Sequence, residues 1–388
     1  MRRLNVRVSA GGRMLRCGYT TGTCAAAATR AAADLVLGGA LAPSVVVSTP
    51  AGIDCVLDVE DAERGDGWAA CAVRKDAGDD PDVTDGVLVW ARVTCVANPG
   101  VRVDGGVGVG RVTRAGLDQP VGAAAINSVP RAMIAHEAED SAQAHGYAGG
   151  LEVVVSIPEG VGLAARTFNP RLGIEGGISV LGTSGIVRPM SEDALVASIQ
   201  LELRVLRETG ARDVLVVPGN YGRDFAMGTL GLGDERMVSC SNYVGAAIDE
   251  AGRLGFSTML LVGHLGKLAK VAAGSMNTHS RVADGRMEAM AAHAAMAGAP
   301  RDVVARIMDA ATTDAALELL EDCGQREATM ASLVARLGAN LRARAASGLQ
   351  VEAVVFSNAW GVLGQTPGAA ELITLHLAGP SVEGHTSN

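Results

Sequence analysis

Residues 166–188 hold more glycine, hydroxyl and arginine side chains than a simple connection between two elements requires. The glycines leave backbone N–H groups bare, because a residue without a Cβ lets the polar groups of a ligand approach the main chain closely. Arg166, Arg171 and Arg188 add planar guanidinium groups, which bind carboxylate or phosphate in a fixed geometry. The segment therefore predicts a binding site for an anionic ligand, although a tight structural crossover between two domains would explain the same glycines.

Four further loops combine glycine with polar side chains. The first opens a predicted helix, where free N–H groups and the helix dipole favour an anion, and simple helix capping explains it equally well. Any one of these loops is explained as a turn, whereas together at one edge of a sheet they predict a binding site. The loops are Thr20–Thr23, Gly219–Gly222 with Arg223, Gly263–Lys267 and Ser275–Arg281.

Two histidines, His264 and His279, lie inside these loops. A histidine there can accept or donate a proton near neutral pH, and a role in satisfying the backbone is an equal alternative for each. The aspartate-rich run Asp79–Asp85 could bind a hard cation, but its spacing differs from that of an EF-hand, so a solvated turn is the preferred interpretation. We predict no metal site.

The sequence lacks the familiar motifs for nucleotide binding. The glycines between residues 105 and 110 miss the G-x-G-x-x-G spacing, and Gly266-Lys267 lacks the upstream glycine of a P-loop. A net charge of −9 and an aromatic content of 3% argue against a nucleic-acid partner. The seven cysteines form no Cys-x-x-Cys pair and are expected to be small buried hydrophobes.

Membrane and export signals are also missing from the sequence. No run of about 18 uninterrupted apolar residues could form a membrane helix, so we expect no membrane partner. The first residues lack the apolar core of a signal peptide. We therefore expect a cytoplasmic protein.

A chain of 388 residues is expected to form two domains. We predict an N-terminal α+β domain over 1–189, because an alanine-rich helix over 20–38 is followed by several short strands in series. After Pro189, apolar strands alternate with helices, which predicts a Rossmann-like α/β domain over 190–388 with a mainly parallel sheet and a disordered C-terminal tail after Gly379. Ligands of such sheets bind outside the carboxyl ends of the strands, so the loops after Val217 and Val262 should share one rim.

Taken together, these loops resemble the CbiD family, the cobalt-precorrin-5B C(1)-methyltransferases of anaerobic cobalamin biosynthesis. The resemblance covers nearly the whole chain, and its long matches are far more specific than a single glycine triplet. The matching segments are Leu15–Ala28, Lys75–Thr84, Thr167–Ile174, Gly176–Ser191, Pro218–Asn220, Gly263–Lys270 and Asn277–Ser280. The resemblance implies methyl transfer from S-adenosylmethionine to ring carbon 1 of cobalt-precorrin-5B, giving cobalt-precorrin-6A, with cobalt present only as part of the substrate.

The implied substrate is a large disc edged by carboxylates, which an acidic protein can hold only with locally placed cations. We expect substrate contacts from Arg166, Asn169, Arg171, Arg188, Arg223, Lys267, His279 and Arg281. We expect methyl-donor contacts from Thr20, Thr21, Gly22, Thr23, Gly182, Thr183, Ser184, Gly219, Asn220, Gly222, Gly263, Gly266, Asn277 and Thr278. His264 is the expected catalytic base, and catalysis by positioning alone is an open alternative.

Three further expectations accompany this interpretation. The glycine-rich loops should converge on one pocket between the two domains. The protein could form a homodimer. The alternative functions are a non-catalytic tetrapyrrole carrier, which would lack a methyl-donor site, and a small-molecule kinase, against which the missing P-loop counts.

Overall fold

The computed structural model describes residues 2–10 and 12–378. They form a mixed α/β protein with several sheets, as the sequence predicted, and the chain divides into two compact units, Met1–Glu192 and Asp193–Asn388. The predicted domains, 1–189 and 190–388, stay a prediction as folding units. The C-terminal tail after Gly379, predicted to be disordered, lies outside the described residues.

The first unit is rich in short strands. Its strands are β1 (Arg7–Ala10), β2 (Arg13–Arg16), β3 (Gly18–Tyr19), β4 (Ser44–Ser48), β5 (Asp54–Asp58), β6 (Asp61–Gly65), β7 (Trp68–Arg74), β8 (Leu88–Val96), β9 (Gly100–Gly105), β10 (Gly108–Val109), β11 (Arg111–Val112), β12 (Gly150–Ser156), β13 (Ile174–Glu175), β14 (Gly177–Ile178) and β15 (Ile186–Val187). Its helices are α1 (Thr21–Gly38), α2 (Ser128–Ala144) and α3 (Gly160–Leu163), the last continued by a 3₁₀ turn over Ala164–Arg166.

The core of the first unit lies between a five-stranded sheet and two helices. The strand order is β6-β7-β8-β12-β9, antiparallel except for the parallel pair β12 and β9. Helix α1 packs against β7, β8 and α2. Its alanines Ala25–Ala28 are fully buried, which allows the close approach of helix and sheet. The helix ends at Gly39, whose φ of 76° is favourable for glycine.

The second unit alternates strands with helices. Its strands are β16 (Asp213–Val217), β17 (Met237–Ser239), β18 (Thr258–His264), β19 (Gln350–Ser357) and β20 (Gly361–Gln365). Its helices are α4 (Glu192–Glu208), α5 (Asn220–Gly228), α6 (Val244–Arg253), α7 (Leu265–Ala272), α8 (Arg286–Met296), α9 (Arg301–Met308), α10 (Thr313–Asp322), α11 (Arg326–Arg344) and α12 (Ala369–Leu377).

The sheet of the second unit has the strand order β17-β16-β18-β19-β20, in which the first four strands are parallel and β20 is antiparallel. Its central strands are buried on both faces, as their continuous apolar runs predict. Helices α5 and α12 cover one face, and α4 and α6–α11 contribute to the core on the other. Chain order along the sheet reverses between β16 and β18, and in open α/β sheets such a switch point creates a crevice at the carboxyl ends of the strands.

Five of the seven cysteines are buried and two are half-buried, and all seven are free thiols. In the described ranges, no helix is long and apolar enough to cross a membrane.

Candidate functional site

The carboxyl ends of the parallel strands in the second unit form one rim, as the sequence predicted. Leu261 of β18 is the partner of Val216 in β16, and His264 is the partner of Phe356 in β19. The loops that begin at Pro218 and at His264 therefore leave neighbouring strands at the same edge. We call this edge, with the loops that follow β16, β17, β18 and β19, the carboxyl rim.

The Lys267 side chain connects loops of the carboxyl rim by hydrogen bonds. Its ammonium donates to the backbone carbonyl of Pro218 at 2.8 Å and to that of Ser241 at 3.1 Å. Pro218 follows β16, Ser241 follows β17, and Lys267 lies on α7 after β18, so one side chain connects three loops. Burial lowers the pKa of Lys267. The expected substrate contact by Lys267 stays a prediction, and the observed role is structural.

The turn into α5 depends on glycine at two positions. Gly219 has a φ of 103°, a conformation that side chains rarely adopt. A Cβ at Gly222 would lie 2.7 Å from the carbonyl oxygen of Val262, so α5 can approach β18 only without a side chain there. Asn220 is exposed at the first position of α5, and Arg223 is half-buried one turn further on.

His264 is the N-cap of α7. Its Nδ1 accepts a hydrogen bond from the backbone N–H of Gly266 at 3.1 Å, which assigns the proton of the neutral ring to Nε2. Burial lowers the pKa of His264, and the Asp314 carboxylate partly opposes this effect. The role of catalytic base stays a prediction, but it would require the ring to give up this cap or its existing proton.

The structure adds side chains to the carboxyl rim that sequence reasoning did not select. Ser357, at the end of β19, donates from Oγ to Oδ1 of Asp314 at 2.6 Å, and Asp314 lies in the first turn of α10. Tyr221 is exposed beside Asn220, with its ring centroid 6.4 Å from that of His264. A strand-end position was the available signal for Ser357, whereas Asp314 comes from a helix whose packing the sequence does not reveal.

Residues 275–281 form a loop that is held by hydrogen bonds within it and by one from Lys270 of α7. Oδ1 of Asn277 accepts from the N–H of His279 at 3.0 Å, and Nδ1 of His279 accepts from the N–H of Arg281 at 3.1 Å. Thr278 is buried, and its carbonyl accepts from the Lys270 ammonium at 3.1 Å. The Arg281 side chain is exposed. Asn277, Thr278 and His279 stabilise the loop through these hydrogen bonds, and their predicted ligand contacts stay untested.

In the first unit, two of the predicted donor-binding loops come together. The N–H of Gly22 donates to the carbonyl of Leu181 at 3.2 Å, and Oγ1 of Thr23 donates to the carbonyl of Gly185 at 2.7 Å. Thr20 caps α1, because its Oγ1 accepts from the N–H of Thr23 at 3.2 Å. The expectation that this helix start offers bare N–H groups is wrong for Gly22 and Thr23, which donate within the protein.

The other residues of this contact differ in exposure. Thr20, Thr21, Gly22 and Thr23 are buried, whereas Gly182 and Ser184 are half-buried and Thr183 is exposed. A Cβ at Gly182 would lie 2.4 Å from Oγ1 of Thr20, so glycine is required for the two loops to meet. Of the predicted donor contacts here, only Thr183 presents an exposed hydroxyl.

The arginine-rich segment after α3 contains one structural residue and several exposed ones. Asn169 is buried and its Oδ1 accepts from Oγ of Ser179 at 2.9 Å, so its side chain holds the loop. Arg171 is exposed, and its backbone carbonyl accepts from Nη1 of Arg114 at 3.3 Å. Phe168 is 54% exposed on the same turn. Arg166 and Arg188 are also exposed.

The aspartate run 79–85 lies in turns in which Asp79 and Asp85 are exposed, as the preferred interpretation of a solvated turn expects. Among the described residues, no group that could hold a metal ion is found. What that interpretation did not include are the hydrogen bonds that these carboxylates accept from the protein itself. The donors are the N–H of Arg16 to Asp79 at 2.6 Å, the N–H of Met190 to Asp80 at 3.0 Å, the Lys75 ammonium to Asp82, and the N–H of Ala77 to Asp85 at 2.8 Å.

The structure thus brings some of the predicted residues together within each unit. The carboxyl rim of the second unit holds the loops after β16 and β18, and the first unit joins residues 20–23 to 181–185. The predicted pocket that unites both groups stays a prediction. A cavity of about 420 Å³ between α11 and β20 is lined by other residues, among them Val334, Gly338 and Leu363.

Comparisons with known proteins identify relatives for most of the chain. The CbiD family model matches residues 8–189, and the model of the CbiD C-terminal domain matches residues 277–367. A solved structure titled as the cobalamin biosynthesis protein cbiD from Archaeoglobus fulgidus is 27% identical, with a TM-score of 0.40, and covers 73% of this chain and 89% of that chain.

Curated relatives share one name, cobalt-precorrin-5B C(1)-methyltransferase. The protein from Ruminiclostridium cellulolyticum is 47% identical over 89% of this chain and 90% of its own length. The protein from Alkaliphilus metalliredigens is 41% identical over 94% and 96%, and that from Salmonella typhimurium is 46% identical over 81% and 82%.

Proposed function

The chain belongs to the CbiD family, and on this premise we propose that it transfers a methyl group to carbon 1 of cobalt-precorrin-5B in cobalamin biosynthesis. The observation that carries the proposal is the 47% identity over 89% of the chain with a relative of that name. The protein is thus a methyltransferase. Neither a kinase nor a non-catalytic carrier is favoured by any contact described above.

The methyl donor in this proposal is S-adenosylmethionine. Its sulfonium makes the methyl group electrophilic, so the protein needs no nucleophile of its own and acts by holding donor and acceptor in line. The donor site that we propose is the carboxyl rim, at the switch point between β16 and β18, where a Rossmann-like sheet binds its ligand. Support comes from Gly219, whose positive φ and missing side chain open the approach to α5.

We assign the tetrapyrrole to the first unit. Arg171 and Arg114 are both exposed, the Arg114 guanidinium donates to the backbone carbonyl of Arg171, and Phe168 adds an exposed ring on the same turn. This combination suits a flat, apolar macrocycle with carboxylates at its edge, because guanidinium forks pair with carboxylates in two-bond geometry. Arg166 and Arg188 are two further exposed arginines of the first unit. The homodimer also stays a proposal.

Catalysis in this proposal comes from positioning. Fixed geometry can supply roughly 7–11 kcal/mol of the barrier when the reacting atoms are held in line. In this proposal, Nδ1 of His264 continues to accept the hydrogen bond from the N–H of Gly266, and its Nε2–H donates a hydrogen bond to the ligand. Loss of positive charge at sulfur during transfer is favoured by a site that excludes water.

The test is incubation of the purified protein with cobalt-precorrin-5B and S-adenosylmethionine that carries a labelled methyl group. We expect mass analysis to find one added, labelled methyl group on the tetrapyrrole. Omitting the donor should leave the substrate mass unchanged. A product that gains a methyl group from another donor but not from S-adenosylmethionine would contradict the donor assignment alone, and no methylated product with any donor would contradict the activity.

A further inference from the structure

Tyr221 presents an exposed aromatic ring at the carboxyl rim. The residue is 67% exposed and lies on the first turn of α5, next to the positive-φ Gly219. Phenylalanine and tyrosine are rare in this chain, which has four of each. A large ring left in solvent at the switch point of the sheet has no role in the packed core.

The ring of Tyr221 is supported by a row of aromatic side chains. The His264 ring lies 6.4 Å from it and meets the Phe356 ring edge-on, with centroids 5.5 Å apart. Phe356 in turn stacks on Phe225 at 3.9 Å with an interplanar angle of 8°. Phe356 and Phe225 are buried in the core of the second unit, so the row runs from the core to the exposed rim.

We propose that Tyr221 stacks against the purine ring of the methyl donor while Nε2–H of His264 donates to a purine ring nitrogen. The inference rests on the proposed function, because it locates the nucleoside part of the donor assigned there. A tyrosine ring has two side-chain torsions and loses little conformational freedom when it binds a flat partner. Base stacking on aromatic side chains is a general source of nucleoside affinity.

Among the cations of the rim, Lys267 is a poor partner for the carboxylate edge of the macrocycle. The nearby Lys267 ammonium already donates to the carbonyls of Pro218 and Ser241. Burial lowers its pKa, which further weakens it as a partner for several carboxylates. A purine is uncharged and offers ring nitrogens as acceptors, which matches the single donor that the His264 tautomer leaves available.

The experiment is calorimetric titration of the full chain with S-adenosylhomocysteine and, separately, with methylthioadenosine, which has the same purine but no amino-acid part. We expect Tyr221→Ala to bind both ligands about 10- to 100-fold more weakly than the wild type, the range given by loss of one stacking contact. Tyr221→Phe should retain affinity within about threefold because it keeps the ring. Met296→Ala, which changes another exposed apolar residue of the same unit, should bind like the wild type.

Each outcome separates the inference from the function on which it rests. Wild-type affinity of Tyr221→Ala for both ligands, with methyl transfer intact, would overturn the stacking role and leave the proposed function standing. Equal losses in Tyr221→Phe and Tyr221→Ala would also overturn it, since the hydroxyl rather than the ring would then matter. If the wild type bound neither ligand, the assignment of the donor would fail, and the inference with it. Unfolding curves of both variants check that the exposed substitution leaves the fold intact.

Discussion

The Lys267 ammonium donates to the carbonyl of Pro218 at 2.8 Å, and this contact connects α7 to the end of β16. A second bond, to the carbonyl of Ser241 at 3.1 Å, fixes the loop after β17, where Ser241 has a φ of 51°. A non-glycine residue in this left-handed region raises the conformational energy of the backbone, and it persists only where surrounding contacts hold it there. The two bonds therefore stabilise a strained loop at the switch point of the sheet.

We expect Lys267→Met to lower the free energy of unfolding by about 2–4 kcal/mol, because it removes two charge-assisted hydrogen bonds and leaves two carbonyls without their donor. Urea denaturation checks this value. Arg301→Met, at the start of α9, removes an exposed cation and should change stability by less than about 0.5 kcal/mol. A loss of donor affinity with unchanged stability would show instead that Lys267 serves the ligand directly.

Lys267 also illustrates what the sequence could not provide. The chain has three lysines, Lys75, Lys267 and Lys270, and each donates to a loop of its own unit rather than extending into solvent. A lysine beside a glycine loop predicted a ligand contact, because the sequence does not show which backbone carbonyls surround an ammonium. The predicted substrate contacts of the exposed arginines stay untested.

Gly182 lies where two loops of the first unit meet, and it supports a sharper prediction. A Cβ at this position would approach Oγ1 of Thr20 to 2.4 Å, and the φ of 143° is itself unfavourable for other residues. Gly176→Ala is the matched control, because Gly176 has a φ of 79° and no atom within 4 Å of its ideal Cβ. We expect Gly176→Ala to cost about 1–2 kcal/mol and Gly182→Ala to cost about 1–3 kcal/mol more. Equal losses in urea denaturation would show that the loops do not meet as described.

Local structure was largely predictable from the sequence, whereas contacts between distant segments were not. The strand Asp213–Val217 ends at Val217 as predicted, because a short apolar run followed by Pro218-Gly219 identifies the end of the strand. The contact of Thr23 with Gly185 joins residues 162 positions apart, and no periodicity reports such pairing. The hydrogen bonds of the aspartate run were unpredictable for the same reason, since two of the donors, Arg16 and Met190, lie in distant segments.

Arg171 is exposed, and we predict that it contacts the substrate. We expect Arg171→Ala to weaken cobalt-precorrin-5B binding by about 10- to 100-fold, the value of one charge-assisted pair, and to leave S-adenosylhomocysteine binding nearly unchanged. Arg102→Ala, which removes an exposed arginine paired with Glu152 in the same unit, is the control and should bind both normally. Calorimetry measures both ligands, and an equal loss of both would reject the assignment.

His376 predicts a pH dependence of stability. Burial, together with the charge of Arg236, lowers its pKa from 6.5 to about 4. The folded state therefore binds this proton less readily than the unfolded state, so stability is complete above pH 6.5 and falls as the pH drops towards 4. We expect the wild type to lose about 2–3 kcal/mol more than His376→Asn between pH 7 and pH 4 in urea denaturation. His136→Asn, an exposed control, should follow the wild type, and parallel curves for His376→Asn would contradict the prediction.

Variants of His264 distinguish catalysis by positioning from catalysis by proton transfer to a protein base. We expect His264→Ala to lower the free energy of unfolding by about 0.5–2 kcal/mol through loss of the α7 cap, and His264→Asn to restore it, because an amide oxygen can accept from the N–H of Gly266. If catalysis comes from positioning, His264→Asn at saturating donor should lose less than about tenfold in turnover and keep the wild-type pH profile. General-base catalysis contributes about 10²–10⁴-fold, so a base would be revealed by a loss of that size and by the disappearance of one limb of the profile.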